Sequence, residues 1–192
     1  GRVWIRDGGG EVILYFGGME KHEHGVASIL SKNAAQSLMS WKPVSDRIVT
    51  ARLYSKFVKT TLVQAYAPQN GSSVEAKDEF YQQLSKVYSD IPQHDMVISL
   101  GDFNAKIGIV GRHVLKGDRT DNGSRFVSMC KVSNMAIVST MFPHKDIHKV
   151  TWNSPDGVTQ NQIDHITINS KFRRSVIDVR AYRAADVESD HN

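Results

Sequence analysis

Met96-Val97-Ile98-Ser99-Leu100-Gly101-Asp102-Phe103-Asn104 is the stretch on which the reading of the fold turns. Residues 96–100 form an apolar run of strand length, and a glycine closes it, so it reads as a buried strand. The strand ends abruptly in a carboxylate and a carboxamide two positions apart. Side chains alternate faces along a strand, so Asp102 and Asn104 can project in the same direction at its tip. A carboxylate there can accept a proton or hold a hard cation, and the carboxamide can donate a hydrogen bond to an anionic oxygen. The tetrapeptide also has a plainer reading, because Gly, Asp and Asn serve turns after strands for backbone reasons.

Three further segments weigh against the plain reading. Gln162-Ile163-Asp164-His165-Ile166-Thr167-Ile168 is strand-like yet carries Asp and His, and charged groups rarely sit inside such a run without a partner or a task. Ser189-Asp190-His191-Asn192 holds an adjacent Asp-His pair, and Thr61-Leu62-Val63-Gln64-Ala65-Tyr66-Ala67-Pro68 is a strand that delivers Tyr66 just before a proline-marked turn. In this order, Tyr-Ala-Pro, Gly-Asp-Phe-Asn, Ile-Asp-His-Ile and Ser-Asp-His resemble the endonuclease/exonuclease/phosphatase superfamily, which includes DNase I-like and abasic-site endonucleases. The resemblance runs from about Leu14 to the last residue. Thr151-Trp152-Asn153-Ser154-Pro155-Asp156-Gly157, the segment 160–166 and the stretch 179–191 look, more narrowly, like the endonuclease domain of RTE-type non-LTR retrotransposons, many of whose reading frames are called craniofacial development protein 2-like.

Working outward from those motifs, strands are expected at 12–16, 25–30, 46–53 and 61–66, spaced as an antiparallel meander. Ser72-Ser73-Val74-Glu75 has the pattern of a capping box. It introduces a helix whose apolar stripe, Phe80, Leu84, Val87 and Tyr88, recurs at helical spacing and which Pro92 ends. A second helix opens at Asp121-Asn122-Gly123-Ser124 and runs to about Val132, with Phe126, Met129 and Cys130 on one face. Strands return at 135–139, 149–153, 163–168 and 177–182. Strands dominate and helices fall between them late in the chain, which predicts an α+β sandwich: two sheets face to face with helices outside. The resemblance implies the same DNase I-like fold, as a single domain over 1–192.

The bulk properties narrow the classes of function. The chain has 192 residues, 40% hydrophobic and 23% charged, which suits one domain with a substantial core. No run approaches the ~18 apolar residues of a membrane span, and no signal-peptide pattern stands at the start. Cys130 is the single cysteine, so no internal disulfide forms and a reducing, intracellular compartment is expected. Its neighbours read it as a buried thiol. A net charge of +4 favours a polyanionic partner. The cations gather at Lys171, Arg173, Arg174, Arg180 and Arg183, and at Lys106, Arg112, Lys116 and Arg119; Lys and Arg contacts to phosphates supply most non-specific affinity for DNA. His22-Glu23-His24 reads as a polar turn, His144 and His148 as exposed loop residues, and Trp152 as core.

The resemblance assigns roles. By its pattern Asp102 activates the attacking water, Asn104 orients that water or the phosphate, and His191 contacts the phosphoryl oxygens with Asp164 as its orienting carboxylate. Tyr66 donates to the phosphate or stabilises the leaving group. The metal set is Asp102, Asn104 and Asp190, all oxygen donors, so the ion expected is Mg²⁺ or Mn²⁺ rather than Zn²⁺. One departure stands out. The superfamily's first two strands carry an Asn and a metal-binding Glu upstream of the segment matching Gly17-Gly18, where this chain has only sixteen residues and Glu11 in no matching context. The expectation is a domain lacking its first strands and cut at its last motif, marginally stable and feebly active alone. The leading reading is a metal-dependent DNA endonuclease, a monomeric domain of a reverse-transcriptase polyprotein working in the nucleus without membrane contact. A phosphatase for a phosphoinositide or other small phosphoester, and a non-catalytic nucleic-acid-binding remnant, stay open beside it.

Overall fold

The computed structural model describes residues 2–6, 12–17, 25–108, 113–182 and 191. At the start of the chain, β1 (Arg2–Arg6), β2 (Val12–Gly17) and β3 (Gly25–Leu30) pair in sequence order as an antiparallel three-stranded sheet. A single-turn helix, α1 (Lys32–Gln36), capped by the Ser31 side chain, leads into the larger sheet. That sheet has six strands in the order β4-β5-β6-β7-β11-β8. They are β4 (Leu38–Ser45), β5 (Ile48–Leu53), β6 (Thr60–Tyr66), β7 (Met96–Asp102), β8 (Met135–Ile137) and β11 (Asp164–Asn169). The two helices α2 (Val74–Asp90) and α3 (Asp121–Val132) follow β6 and β7, and a small hairpin of β9 (Trp152–Asn153) and β10 (Gln160–Asn161) precedes β11.

Alternation decides what each face of the large sheet meets. Val63 and Ala65 of β6 and Val97 of β7 turn to one side, where Phe80, Tyr81, Leu84 and Val87 of α2 and Phe126, Met129 and Cys130 of α3 close over them in one buried cluster. Full burial of a Val, Leu, Phe or Met side chain among these contributes about 1.5–3 kcal/mol. Burial pushes the Cys130 thiol up to about 12, which confirms an inert core residue. On the other side β3 lies against β5 and β6 and buries Val26 and Leu30, with Ala51, Trp41, Leu53 and Leu62 around Leu30. This is the α+β sandwich that the sequence predicts.

The expected meander is divided between the two sheets. β3 belongs to the first, β5 and β6 are antiparallel neighbours in the second, and β6 then pairs with β7 in parallel through the α2 crossover. The α2 cap is one residue later than the capping-box pattern places it: Ser73, not Ser72, accepts from the Ala76 N–H at 3.2 Å. β1 and β4 are strands that the spacing does not predict. β4 holds Pro43 and two register shifts, and proline is tolerated there because β4 is an edge strand. Residues 177–182 form no paired strand. Their alternation is strand-like, yet Ile177 is 91% exposed and no sheet edge receives them. The backbone bond from Ala181 N–H to His148 O at 2.8 Å holds this segment among the described residues. Pairing at 135–139 stops at Ile137, where a 3₁₀ turn (Val138–Thr140) takes over, and at 149–153 it is confined to Trp152–Asn153.

A buried polar group ties one end of the large sheet together. Asp95, 2% exposed, receives Arg52 through Nε and Nη2 at 2.8 and 2.9 Å and Thr61 Oγ1 at 2.8 Å. Burial pushes its carboxyl up, the Arg52 and Thr61 bonds pull it down, and the balance lies below the usual value. Asn169 at the end of β11 closes the same corner by donating to Asp95 O and accepting from the Val97 N–H.

Gly101 sets how closely β6 and β7 approach at the other end. Its φ is +144°, and a Cβ there would stand 1.9 Å from Ala65 O. Gly101→Ala is therefore expected to lower stability by ~2 kcal/mol or more, read as a fall in the urea midpoint with an unchanged slope.

Candidate active site

Three neighbouring strands bring the motif residues to one end of the large sheet. β6 and β7 run parallel with Tyr66 opposite Asp102, and β11 runs antiparallel to β7 with Asp164 opposite Asp102. Residues far apart in sequence therefore surface side by side where two strands end and a third begins. His191 arrives through a single antiparallel bridge to Trp152. Its Nδ1 lies 3.1 Å from Asp164 Oδ2 and its Nε2 lies 3.9 Å from Asp102 Oδ2. One potential ligand atom from each of Asp102, Asp164 and His191 falls within 4.8 Å of the others. The Asp102 side chain is 17% exposed, against 33% for Asp164 and 34% for His191, so Asp102 forms the floor of the group and the pair forms its solvent side.

Asn104 is held in an unusual conformation. Its φ is +47°, a left-handed value that non-glycine residues seldom adopt, though Asn is among the most tolerant of it. In that turn the Asn104 N–H donates to Asp102 Oδ1 at 2.7 Å, and its Nδ2 donates to Ala67 O at 3.0 Å. The carboxamide also has a second N–H and an oxygen beyond that bond. Ala67 N–H donates in turn to Asp102 O at 2.8 Å, so the ends of β6 and β7 are laced to each other.

Arg47 is a member of this neighbourhood that sequence reasoning missed. It sits in the turn between β4 and β5, accepts from the Tyr66 N–H through its carbonyl at 2.9 Å, donates from Nη1 to Tyr66 O at 3.3 Å, and places its guanidinium 5.2 Å from the Tyr66 ring centroid. Only the pairing of β5 with β6 reveals it. The turn's Ser45-Asp46-Arg47 carries no motif.

Behind the exposed groups lies a buried polar layer. Gln162 accepts from the Leu115 N–H at 3.1 Å through Oε1, and Thr151 Oγ1 receives the N–H groups of Ile163 and Asp164 at 3.1 and 3.2 Å. His165, 1% exposed, points to the opposite face from Asp164 and stacks on Phe126 with centroids 5.2 Å apart. Burial lowers its pKa to about 4, although its bond to Ala105 O works the other way.

Other expectations sort differently. Asp190, Glu11, His22-Glu23-His24, Arg112 and Arg183 lie outside the described residues. His144 and His148 are half-buried rather than exposed: their rings meet edge to face at 6.2 Å, and His144 Nε2 lies 2.6 Å from Asp178 Oδ1, which holds that carboxyl below its usual range. Trp152 is partly buried at the rim of the site, beside His191, and not in the main core. The cations do not form one footprint. Lys171, Arg173 and Arg174 lie on the 3₁₀ turn Ser170–Ser175, just past the far end of β11. Asp164 begins that strand, so at ~3.3 Å per residue they stand ~20 Å from it. Lys106 and Lys116 line a crevice of about 40 Å³ with Gly108, Asn161 and Gln162, and Arg119 is drawn inward to Ile107 O at 2.9 Å.

No family model matches the chain. Craniofacial development protein 2 of Bos taurus is 31% identical over 185 residues, covering 93% of this chain and 31% of that protein, and its counterpart in Tragulus javanicus is 30% identical over 185 residues, covering 93% and 32%. The chain thus spans about a third of the length of the curated relatives it matches. Among solved structures, the 3′ phosphatase NExo from Neisseria bound to a product DNA hairpin has a TM-score of 0.71 at 17% identity, covering 95% of this chain and 77% of that one. The endonuclease domain of TRAS1, a telomere-specific non-LTR retrotransposon, gives 0.65 at 18% identity, with 94% and 77% covered. The abasic-site endonuclease LMAP from Leishmania major gives 0.74 at 12% identity, with 95% and 68% covered. The resemblance predicted from the motifs is therefore borne out in the fold, which is the DNase I-like fold of the endonuclease/exonuclease/phosphatase proteins.

The buried ring makes stability depend on pH in a defined direction. His165 is neutral in the folded protein down to about 4, whereas the unfolded chain takes up that proton near 6.5. The unfolded state therefore binds more protons between these values, and stability is full above ~6.5 and declines as pH falls toward ~4. Urea titrations from neutral pH to about pH 4.5 should show a loss of about 2 kcal/mol from this group. In His165→Phe that component should vanish.

Proposed function

We propose that this chain, which has the endonuclease/exonuclease/phosphatase fold, is a divalent-metal-dependent phosphodiesterase that cuts one strand of DNA, as one domain of a longer nuclear polypeptide. The observation that carries the reading is the convergence of Asp102, Asp164 and His191 within 4.8 Å at the ends of β7 and β11. A carboxylate able to take a proton from water, and an imidazole oriented by a second carboxylate that can meet a phosphoryl oxygen, suit phosphoryl transfer to water. The DNA hairpin bound to NExo, the fold shared with the TRAS1 endonuclease domain and the chain's net charge of +4 support a nucleic-acid substrate. The relatives' greater length supports a multidomain protein.

Asp102, the most enclosed of the three, takes the proton of the attacking water. Asn104 steadies that water or a phosphate oxygen with the amide hydrogen not given to Ala67 O. His191, held by Asp164 at 3.1 Å, presents Nε2 to a phosphoryl oxygen and donates there when protonated. Tyr66, with Arg47 beside its ring, faces the leaving oxygen. Among the described residues the donors fit a hard cation, since Asp102 offers a carboxylate and Asn104 its carboxamide oxygen; by the motif, Asp190 would add a further carboxylate. Mg²⁺ or Mn²⁺ bound there would neutralise charge building on the phosphate.

The test is nicking of supercoiled plasmid by this chain and by a version carrying the residues that precede it, beside a phosphate-release assay on small phosphoesters. Nicking that chelation abolishes, and that Mg²⁺ or Mn²⁺ but not Zn²⁺ restores, is the expected result. Phosphate release without nicking, or restoration by Zn²⁺ alone, overturns it. Asp102→Ala should lower the nicking rate by ~10²–10⁴-fold in a protein that still unfolds cooperatively.

A further inference from the structure

The run Gln162-Ile163-Asp164-His165 holds two ionisable neighbours that face opposite ways, and only Asp164 reaches the acid group. His165 is enclosed on every side and cannot touch a substrate, yet both of its ring nitrogens are engaged. Nε2 lies 2.8 Å from Ala105 O. A carbonyl only accepts, so Nε2 carries the proton. The lone pair of the neutral ring is then on Nδ1, 3.1 Å from Ser139 Oγ, whose hydroxyl donates to it.

Ala105 follows Asn104, and the residues on both sides of Asn104 are held by this one segment. Phe103 N–H donates to Ile163 O at 3.1 Å, and Ala105 O accepts from His165. Asn104 between them is the non-glycine residue at φ +47°, and such a conformation persists only where its surroundings over-determine it. Two consequences follow from that φ. The Asn104 N–H reaches Asp102 Oδ1 and fixes that carboxylate, and Asn104 Nδ2 reaches Ala67 O and fixes the amide.

We propose that His165 is a positioning residue: its Nε2–H bond to Ala105 O locks the left-handed turn at Asn104, and through that turn it aims Asp102 and Asn104 together. An imidazole suits the task because one flat ring stacks on Phe126, donates at one end and accepts at the other. Phenylalanine keeps the stack and loses both bonds. Glutamine loses the stack and keeps a donor.

The activity arm of the test rests on the hydrolytic reading above, and the spectroscopic arm does not. In wild-type protein at neutral pH, long-range ¹⁵N–¹H correlation of the His165 ring should show the Nε2–H tautomer with a slowly exchanging proton; the Nδ1–H tautomer overturns the proposal. In His165→Phe the Asn104 amide, bonded to Asp102, should exchange ~10-fold faster with solvent while core amides such as Val63 keep their rates. Equal acceleration everywhere, or none at Asn104, overturns it. In the nicking assay His165→Phe should lower kcat by ~10²-fold with KM for the duplex within about twofold, as expected when geometry and not binding is disturbed, and His165→Gln should recover most of the loss. Wild-type kcat in folded His165→Phe, or no recovery in His165→Gln, shows a merely structural histidine. A wild-type protein without nuclease activity would end the hydrolytic reading and leave the exchange and tautomer measurements to decide the role of His165.

Discussion

The close parallel approach of β6 to β7 is the constraint on which the rest of the structure depends. Parallel strands cannot be joined by a tight turn, so the chain must leave the sheet at Tyr66, cross as α2 and return as β7. That crossover supplies the helical cover of the core. It also brings both strands to an end at the same level, with Tyr66 beside Asp102. The pairing tightens at Ala65 and Gly101, where the absent Cβ lets the backbones meet. A glycine that looks like turn chemistry in the sequence is therefore a packing requirement, and the carboxylate after it inherits its position from that requirement.

The loops above the strand ends are built on the same logic, with backbone groups satisfied by side chains from other segments. Asn122, fully buried at the start of α3, donates from Nδ2 to Pro68 O at 2.8 Å and anchors the loop that follows Tyr66. Lys77, also buried, donates from α2 to Asn70 O at 2.7 Å and pairs with Asp121 at 3.0 Å. Thr120 caps α3 while also bonding the Lys106 N–H, and Gly123 admits Lys106 O into the first turn of the helix. Buried polar groups are costly unless paired, so each of these contacts restricts the loops to few arrangements. Precision at the site is thereby supplied from residues that never face it.

The two ends of the large sheet use charge differently. At one, Asp95 is sealed, triply bonded and held below its usual pKa by Arg52 and Thr61 despite its burial, which is the behaviour of a structural ion pair. At the other, Asp102, Asp164 and His191 are crowded but partly open to solvent. Two carboxylates around one imidazole, partly open to solvent, can meet a cation or a phosphate.

The sequence by itself determined the apolar runs, their period, the two long helices and the four motifs, because each depends on residues within a turn or two of one another. Phe80, Leu84 and Val87 declare a helix face, and Gly-Asp-Phe-Asn declares a strand that ends in a carboxylate and a carboxamide. What only the tertiary structure decided is everything that needs pairing. β4 hides behind Pro43 and its register shifts, and the strand-like strap 177–182 finds no edge to join. Arg47 becomes a neighbour of the site only through β5, and the basic residues 171–174 fall at the far end of β11 from the acids. His165 reads in the sequence as part of a motif, yet alternation sends it into the core while Asp164 goes to the surface. Its role emerges from a carbonyl sixty positions away. Local pattern is written in neighbouring side chains, whereas register and burial arise when distant segments satisfy each other's backbone groups, and no single stretch of sequence contains both partners.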